Sequence, residues 1–478
     1  MDHRKRSCNL EPSSKISEDK TQRNGSTLEK NSPIHCKQQK YVLLVVFVSL
    51  IIDLLAFTLL LPLLPSILDY YQQHDRSRLY LSLEEAVRYF QALVGIPNTV
   101  KWNTVLFGGM IGSIFSLLQF ISSPIIGVAS DVYGRKPLLL ISMTGVAISH
   151  LIWSVSNTFL LFIIARIIGG ISKGNISLST AIVTDVSSAE KRGRGMALIG
   201  IAFSLGFIIG PFIGAMFSKS AGKQQGLFVL PGLFAFALIL TDIMFIIFYL
   251  NESLPPGKRA KSLSSSWRQT SHLLNPMSLF RFTVVRPLRE TDMSSIRIIG
   301  CVYFLYLFIF SGLEFTLTFL THSRFGYSSL QKGIMFIYIG SIMALIQGSY
   351  TRRVPFGKEK KVACIGIAVL IPSLLILSLA SSQLALYSAL GLFAFCSATV
   401  VPCLTTLISR YGKVNQKGAI VGVFRSLGAL ARALGPVAMC TVYWLFGPFI
   451  CYLSCAVGLL VPLLILRYFN CTQPAAAS

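Results

Sequence analysis

The stretch Gly127-Val-Ala-Ser-Asp131-Val-Tyr-Gly134-Arg135-Lys136-Pro137 lies between two apolar runs, residues 105–127 and 137–158, and it decides the fold. Its two glycines permit close approach of helices and a tight turn. We expect Asp131 and Arg135 to pair as opposite charges at helix ends, in one conformer of the protein and not in another. The alternative is an ordinary solvated turn, in which Arg135 and Lys136 only set the orientation of a membrane protein.

Apolar runs like these two recur along the whole chain. Of the 478 residues, 53% are hydrophobic and 13% are charged, whereas soluble domains carry about 25% charged residues. A helix needs roughly 20 apolar residues to cross a bilayer. Runs near that length predict twelve membrane-spanning helices, at 41–65, 105–127, 137–158, 160–184, 196–218, 227–250, 298–320, 333–350, 362–381, 384–408, 418–441 and 444–467. We therefore expect an all-α membrane protein.

Polar connectors divide this series of helices. The predicted organisation is a disordered N-terminal segment 1–40, a six-helix bundle 41–250 that includes a long loop 66–104, a linker loop 251–297, a second six-helix bundle 298–467 and a tail 468–478. An internal repeat supports two related halves, because Leu55-Ala-Phe-Thr-Leu59 matches Leu313-Glu-Phe-Thr-Leu317 at four of five positions. Many membrane transporters are built from two such repeats.

The distribution of basic residues predicts which side of the membrane each loop faces. The formal net charge is +24, and 31 of the 43 Lys and Arg fall in the termini and the even-numbered loops, against eight in the odd-numbered loops. Basic residues accumulate on the cytoplasmic side. Both termini and the linker 251–297 are therefore expected in the cytoplasm, and loop 66–104 on the opposite side. Because the bases lie in short connectors, they do not indicate nucleic-acid binding.

The stretch 127–137 resembles the G-x-x-x-D-x-x-G-R-[KR] loop that joins the second and third membrane helices in the major facilitator superfamily. The resemblance covers about residues 40–468 and is strongest over the first five helices. It implies two pseudo-symmetric six-helix bundles around a central site, with alternating access by rocking of the bundles. It also implies a cytoplasmic gate, whose residues are Gly127, Asp131, Gly134, Arg135, Lys136, Asp185 and Arg192.

The fifth predicted helix contains a regular series of glycines. Gly206, Gly210 and Gly214 fall on one face at a spacing of four, which permits close helix packing, and Pro211 adds a kink. The string resembles the G-x-x-x-G-P-x-x-G motif of the drug/proton antiporter branch of the superfamily. The alternative, a general small-residue packing face, explains the glycines but not the whole string.

Seven charged residues lie within the predicted membrane helices, where a charge is costly and is usually functional. The bases are Arg166 and Lys173 in the fourth helix and Arg425 and Arg432 in the eleventh; the acids are Asp53, Asp242 and Glu314 in the first, sixth and seventh. Lys173 follows Arg166 by seven residues, which predicts the same helix face two turns on.

Arg166 with Gly170 resembles the family's R-x-x-x-G element, whose arginine is tied to substrate or proton transfer. The resemblance implies a substrate and proton pathway formed by Asp53, Arg166, Lys173, Glu314, Arg425 and Arg432, because their helices mostly face the central cavity of that fold. A buried carboxylate can take up and release a proton as access alternates, and Asp242 is the weakest of the three acids for this role. The alternative is that the acids and bases form fixed ion pairs.

Four bases against three acids favour a negatively charged substrate. The strings Gly169–Asn175, Phe310–Glu314 and Arg425–Arg432 are similar to those of the animal tetracycline-transporter-like members of the superfamily, which are regarded as organic anion antiporters. We therefore expect a secondary transporter that acts as an organic anion antiporter, with a proton as a candidate coupling ion. The alternatives are a cationic drug/proton exporter, in which Asp53 and Glu314 bind the cation, and a non-transporting receptor or scaffold.

Motifs of other protein classes are missing from the sequence. It contains no HExxH pair, no nucleotide-binding loop and no intramembrane protease motif, so we expect no enzyme, no catalytic residue, no cofactor and no metal. The expected partners are the lipid bilayer and a small organic anion, and the chain is expected to be a monomer. No address motif decides between the plasma membrane, which we expect, and an internal membrane such as the nuclear envelope.

Overall fold

The computed structural model describes residues 33–94, 100–187, 192–220, 226–259, 274–283, 285, 289–355, 357–412 and 417–469. The predictions for residues 1–32, for residues 260–273, 284 and 286–288 of the linker 251–297, and for residues 470–478 lie outside the described residues. Within these ranges the structure contains α-helices and short 3-10 turns but no strand.

The α-helices are α1 (Pro33–Thr58), α2 (Leu64–His74), α3 (Arg78–Val94), α4 (Val100–Tyr133), α5 (Arg135–Ser154), α6 (Phe159–Ser172), α7 (Asn175–Val186), α8 (Arg192–Ser220), α9 (Gly226–Tyr249), α10 (Pro276–Arg281), α11 (Glu290–Phe325), α12 (Ser329–Ser349), α13 (Glu359–Leu379), α14 (Gln383–Ile408), α15 (Lys417–Gly458) and α16 (Leu460–Tyr468). We call α1–α9 the first half and α11–α16 the second half. The outer end is where α1 ends and α4 begins; the inner end is where α4 ends and α5 begins.

Eleven helical segments of the described chain are long and apolar enough to cross a membrane. The last of them, Ala419–Tyr468, has 50 residues, which is about 75 Å of helix and more than twice the roughly 30 Å of a bilayer core. Gly447 interrupts it with a non-helical backbone (φ 78°, ψ 176°). The predicted total of twelve crossings requires that this segment crosses twice.

Two helix boundaries differ from the predicted ones. Helix α1 begins at Pro33, inside the segment 1–40 that was expected to be disordered. The apolar run marks only the part of the helix that lies in the membrane, and proline is well suited to the first helical position. Helix α11 likewise extends from Glu290 to Phe325, beyond the apolar run 298–320.

Residues 66–104, predicted as a loop, contain α2 and α3 and the start of α4. This segment is fixed to the outer end of α5 and α6. The Asp75 carboxylate accepts a hydrogen bond from the backbone nitrogen of Phe159, at the first turn of α6, at 2.7 Å. The Tyr71 hydroxyl donates to the Ser156 carbonyl oxygen, also at 2.7 Å. Amphipathic helices of this kind lack the continuous apolar run by which the membrane helices were predicted.

The fourth predicted helix, 160–184, is broken. Helix α6 ends at Ser172, and α7 begins at Asn175. Lys173 is the C-terminal cap of α6 and has a non-helical backbone (φ −78°, ψ 54°). The prediction of one continuous helix through Lys173 was therefore wrong, although Arg166 and Lys173 both lie over the Phe57 ring of α1, at 6.0 and 5.0 Å from its centroid.

Helix packing defines two halves and the contacts between them. In the first half, α1 packs against α8 and α9, and α5 packs against α6 and α9. In the second half, α11 packs against α15, and α13 packs against α14. The halves meet through α4 with α15 and through α8 with α12. The buried charges of the candidate site therefore lie between helices of one half or where the two halves meet.

Candidate functional site

A buried ion pair lies at the break between α6 and α7. The Lys173 ammonium is 2.6 Å from Asp53 Oδ1, and the Asn175 amide donates to Asp53 Oδ2 at 2.5 Å. The two charged side chains are only 3% and 1% exposed. The break allows this geometry because it turns Lys173 and Asn175 from the helix towards α1. The Asp53 carboxylate is thus neutralised by one cation and receives a second donor.

Arg166 lies one layer away and has no such partner. Its guanidinium carbon is 4.1 Å from the ring centroid of Phe115 and 6.0 Å from that of Phe57, and these two rings stack with centroids 5.4 Å apart. Arg166 Nε is buried, and no acceptor within the described ranges reaches it. No carboxylate of those ranges lies within 4.0 Å of Arg166. Stacking on an aromatic face stabilises a cation only partly.

Asp242 on α9 is a third carboxyl group of this region, and its surroundings were not predicted. It is fully buried, and Oδ2 accepts a hydrogen bond from the Ser49 hydroxyl at 3.1 Å. Oδ1 meets no donor in the part of the chain that the structure describes. We call Ser49, Asp53, Arg166, Lys173, Asn175 and Asp242 the first-half cluster.

The second half contributes three charged residues that do not form ion pairs with each other. Arg425 donates to the hydroxyl of Thr180 at 2.5 Å and so connects α15 to α7 of the first half. Glu314 on α11 and Arg432 on α15 interact electrostatically. No ion pair within 4.0 Å involves either of them among the residues described. Asp53 and Lys173 thus form a fixed ion pair of the kind that the alternative predicts, whereas Glu314 and Arg432 form none within the described residues.

The predicted gate residues form one network at the inner end. Arg135 Nη1 lies 2.6 Å from Asp131, and Arg135 Nε lies 2.9 Å from Asp185 at the end of α7. Lys136 donates to the Ile247 carbonyl oxygen of α9 at 2.8 Å. The side chain of Arg192 lies outside the described residues. The network connects α4, α5, α7 and α9, all in the first half.

Glu252, which follows α9, completes this network and was missed. It accepts hydrogen bonds from the backbone nitrogens of Arg135 and Lys136 at 2.9 and 3.2 Å. A carboxylate there is favoured, because the first N–H groups of a helix lack partners and carry partial positive charge. Gly134 has φ +108°, and a Cβ there would lie 2.5 Å from Glu252. Glu252 lies more than a hundred residues from Arg135 in the sequence, so no local sequence pattern predicts this contact.

The glycine face of α8 packs against α1. A Cβ at Gly206 would lie 2.5 Å from Leu54, and one at Gly210 or Gly214 would collide with Thr58 or with the Leu59 backbone. The Thr58 hydroxyl donates to the Gly206 carbonyl oxygen at 2.9 Å. The predicted close approach is present, and it holds α8 to the helix that carries Asp53.

The halves are joined at the outer end by polar contacts that were not predicted. Asp69 of α2 lies 2.6 Å from His322 Nε2 of α11, and Ser66 lies 3.4 Å from Ser329 of α12. Lys332 of α12 is fully buried, and its ammonium meets no hydrogen-bond acceptor in the described ranges. Farther along the same contact, the Trp444 indole donates to Asn103 at 2.9 Å.

Surface clefts lie elsewhere in the molecule. One, of about 300 Å³, is lined by residues such as Ser154, Asn157 and Leu233. A second, of about 580 Å³, includes Tyr350 and Arg353. Neither contains a residue of the first-half cluster.

Comparison with known proteins gives a consistent result. A family model described as Major Facilitator Superfamily matches residues 46–436. Major facilitator superfamily domain-containing protein 10 of Mus musculus is 47% identical over 446 residues, which cover 92% of this chain and 95% of the mouse protein. The crystal structure of the human organic anion transporter MFSD10 (TETRAN) superposes with a TM-score of 0.75 at 45% identity, over 90% of this chain and 99% of that one. A mutant form of the nucleoside transporter NupG shares the fold at a TM-score of 0.60 and 14% identity, over 88% of this chain and 99% of that one.

Proposed function

The chain belongs to the Major Facilitator Superfamily, and we propose that it is an organic anion antiporter that works by alternating access between its two halves. It is a multi-pass integral membrane protein of a transporter family. The substrate class is supported by the human protein of similar structure, which is described as an organic anion transporter.

The contacts of Arg166 support an anionic substrate. Its guanidinium lies over Phe115 without an acceptor among the described residues, whereas the neighbouring Lys173 is already neutralised by Asp53. A carboxylate binds the edge of a guanidinium through two parallel hydrogen bonds. The apolar part of an organic anion would then pack on the Phe57 and Phe115 rings. This combination favours an amphipathic, carboxylate-bearing substrate.

The positive charge of Arg166 also supports the exchange of one anion for another rather than transport in one direction. When the anion leaves, Arg166 remains without a counter-charge, and enclosing an isolated charge in a water-poor site is costly. A bound anion removes that cost. We infer that the loaded protein changes conformation more readily than the empty one, so that one anion is exchanged for another.

Alternating access is supported by the position of the contacts between the halves. At the outer end the halves are joined by Asp69 with His322 and by Asn103 with Trp444. Closer to the inner end, Thr180 contacts Arg425 and Ser204 contacts Gln347. Polar contacts of this kind can be broken one set at a time as rigid halves rock.

The distribution of basic residues supports the proposed orientation. With both termini and the linker 251–297 in the cytoplasm, the outer end faces away from the cytoplasm. The network around Arg135 then forms a cytoplasmic gate. We propose the plasma membrane as the location, with an internal membrane as the alternative.

A cationic drug/proton exporter is the second candidate, and Glu314 favours it. This carboxyl group has no ion pair within 4.0 Å in the described chain, so a cationic substrate could neutralise it. Asp53 is a poorer cation site because Lys173 and Asn175 already occupy both of its oxygens. Flux of a cationic dye that requires Glu314 and tolerates a change at Arg166 would establish this candidate.

The test is uptake of a labelled amphipathic carboxylate by liposomes that contain the purified protein. Arg166→Gln should lower uptake about 10- to 100-fold, since a hydrogen bond to a charged group contributes roughly 1.5–3 kcal/mol. Arg353→Gln is the matched control, because Arg353 is exposed at the inner end, outside the first-half cluster. Anion uptake that survives Arg166→Gln, or dye flux without anion uptake, would contradict the proposal.

A further inference from the structure

We propose that Asp242 is the proton-binding residue of the first-half cluster, and that its proton sets the charge that an anion meets at Arg166. The inference rests on the proposed anion transport and adds the residue that couples it to protons. It differs from the expectation drawn from sequence, in which Asp53 or Glu314 handles the proton.

The surroundings of Asp242 suit a neutral carboxyl group. The residue is fully buried, and a single neutral donor, the Ser49 hydroxyl, reaches Oδ2 at 3.1 Å. Oδ1 has no donor, and no Lys or Arg of the described ranges lies within 4.0 Å of either oxygen. A buried carboxylate normally has a cation or several donors, because an unpaired buried charge is costly. The proton resides on Oδ1, which leaves Oδ2 to accept from Ser49.

Asp53 in the same cluster has the opposite surroundings. Lys173 lies 2.6 Å from one of its oxygens, and Asn175 donates to the other. These contacts stabilise the charged form of Asp53. Asp242 interacts electrostatically with Asp53, and like charges in one site repel, so both carboxylates are charged only at a high cost. Asp53 therefore keeps the charge in this conformation, and Asp242 is the group that is left to carry a proton.

The protonation of Asp242 changes the net charge of the cluster. With Asp242 neutral, Asp53 and Lys173 cancel, and Arg166 leaves the cluster with one positive charge. When Asp242 releases its proton to water, its carboxylate cancels that charge, and the attraction for an anion falls. Proton and anion therefore strengthen each other's binding, and by linkage the effect is reciprocal.

Two charged groups on the neighbouring helices interact electrostatically with Asp242: Asp53 of α1 and Lys173 at the α6–α7 break. Arg166 of α6 is linked to them through Phe57, whose ring centroid lies 6.0 Å from the Arg166 guanidinium carbon and 5.0 Å from the Lys173 ammonium. His150 is buried and lies within electrostatic reach of Lys173 and Arg166. Because histidine also changes charge between pH 5 and 8, it is the competing source of any pH dependence. Glu314 is the competing carboxyl group in the second half.

The experiment is equilibrium binding of a labelled amphipathic carboxylate to the purified full-length protein between pH 5 and 9. Wild-type affinity should fall by up to about tenfold per pH unit above the point at which Asp242 loses its proton. Asp242→Asn, which mimics the neutral carboxyl group, should hold the low-pH affinity across the range. His150→Gln and Glu314→Gln should keep the wild-type slope.

A second measurement reads the proton directly. In weakly buffered solution at the alkaline end of the range, anion binding should draw up to one proton per wild-type molecule, and none in Asp242→Asn. An unchanged pH slope or unchanged proton uptake in Asp242→Asn would overturn the inference and leave anion transport intact. A slope lost in His150→Gln or Glu314→Gln would overturn it too. Wild type that binds no anion at any pH would instead reject the proposed function, and the inference with it.

Discussion

Lys173 and Asp53 are each almost fully buried, and each is stable as a charge only because the other is 2.6 Å away. Asn175 adds a second hydrogen bond to Asp53 from the same break in the chain. Removing one member of a buried ion pair leaves the other uncompensated and typically costs about 3–5 kcal/mol. Replacing both by neutral groups can be close to neutral. The pair therefore predicts a non-additive response to mutation.

We predict that Lys173→Met and Asp53→Asn each destabilise the purified protein, and that the double variant recovers most of the loss. The expected single-variant cost is about 3–5 kcal/mol. Thermal unfolding in detergent, followed by intrinsic fluorescence, measures it. Additive losses in the double variant would show that the two residues act independently. All three variants keep Glu252 and Arg135 of the inner-end network, so a change in stability comes from the ion pair alone.

Individual residues show how much of the candidate site could be predicted from the sequence. A charge in an apolar run is visible in the sequence, and Asp53, Arg166 and Lys173 were found that way. Which charges pair was not visible, because Asp53 and Lys173 are 120 residues apart in the sequence. Asp242 was ranked lowest among the acids because its helix is less cavity-facing in the family. Its packing against α1 beside Ser49 could be seen only in the structure.

Among the helices, α8 illustrates a pattern that sequence predicts well. Glycines four residues apart indicate a close helix contact, and the contact is present. Sequence does not name the partner, which is α1 at Leu54, Thr58 and Leu59. The amphipathic helices α2 and α3 were missed because they lack long apolar runs. The break between α6 and α7 was missed because its polar stretch, Ser172-Lys173-Gly174-Asn175, is short and apolar residues flank it on both sides.

We predict that Gly210→Ala destabilises the protein by about 1–3 kcal/mol, the usual effect of overpacking. The added methyl group would collide with the Thr58 side chain and lie 3.1 Å from the Leu55 carbonyl oxygen. Gly200→Ala on the same helix is the matched control, because nothing lies within 4 Å of its Cβ position. There, alanine should be neutral or stabilising by up to about 1 kcal/mol. Equal melting temperatures for the two variants would argue against the close α1–α8 contact.

At the outer end of the molecule, one ion pair stabilises the contact between the halves and one buried charge destabilises it. Asp69 and His322 hold the halves together, whereas Lys332 is buried nearby without an acceptor in the described residues. Opening of this end would separate Asp69 from His322 and hydrate Lys332. The two elements therefore shift the equilibrium between open and closed outer ends in opposite directions.

We predict that Asp69→Asn opens the outer end and that Lys332→Met closes it. The readout is the rate at which a membrane-impermeant maleimide labels a cysteine placed at Ser329, which is buried between the halves. Loss of a half-exposed ion pair is worth on the order of 1 kcal/mol, or about a fivefold faster rate in Asp69→Asn. Glu84→Gln is the control, since Glu84 pairs with Arg88 within α3 alone. Equal rates in all variants would exclude a gate at this contact.

Counterflow shows whether the protein exchanges organic anions. Liposomes containing the protein are loaded with unlabelled amphipathic carboxylate and diluted into a trace of the labelled anion, without any ion gradient. We expect a transient accumulation of label that requires the internal anion and is lost in Arg166→Gln. Exchange would be contradicted if the label entered equally well into liposomes that contain the protein but no internal anion, or if it never accumulated.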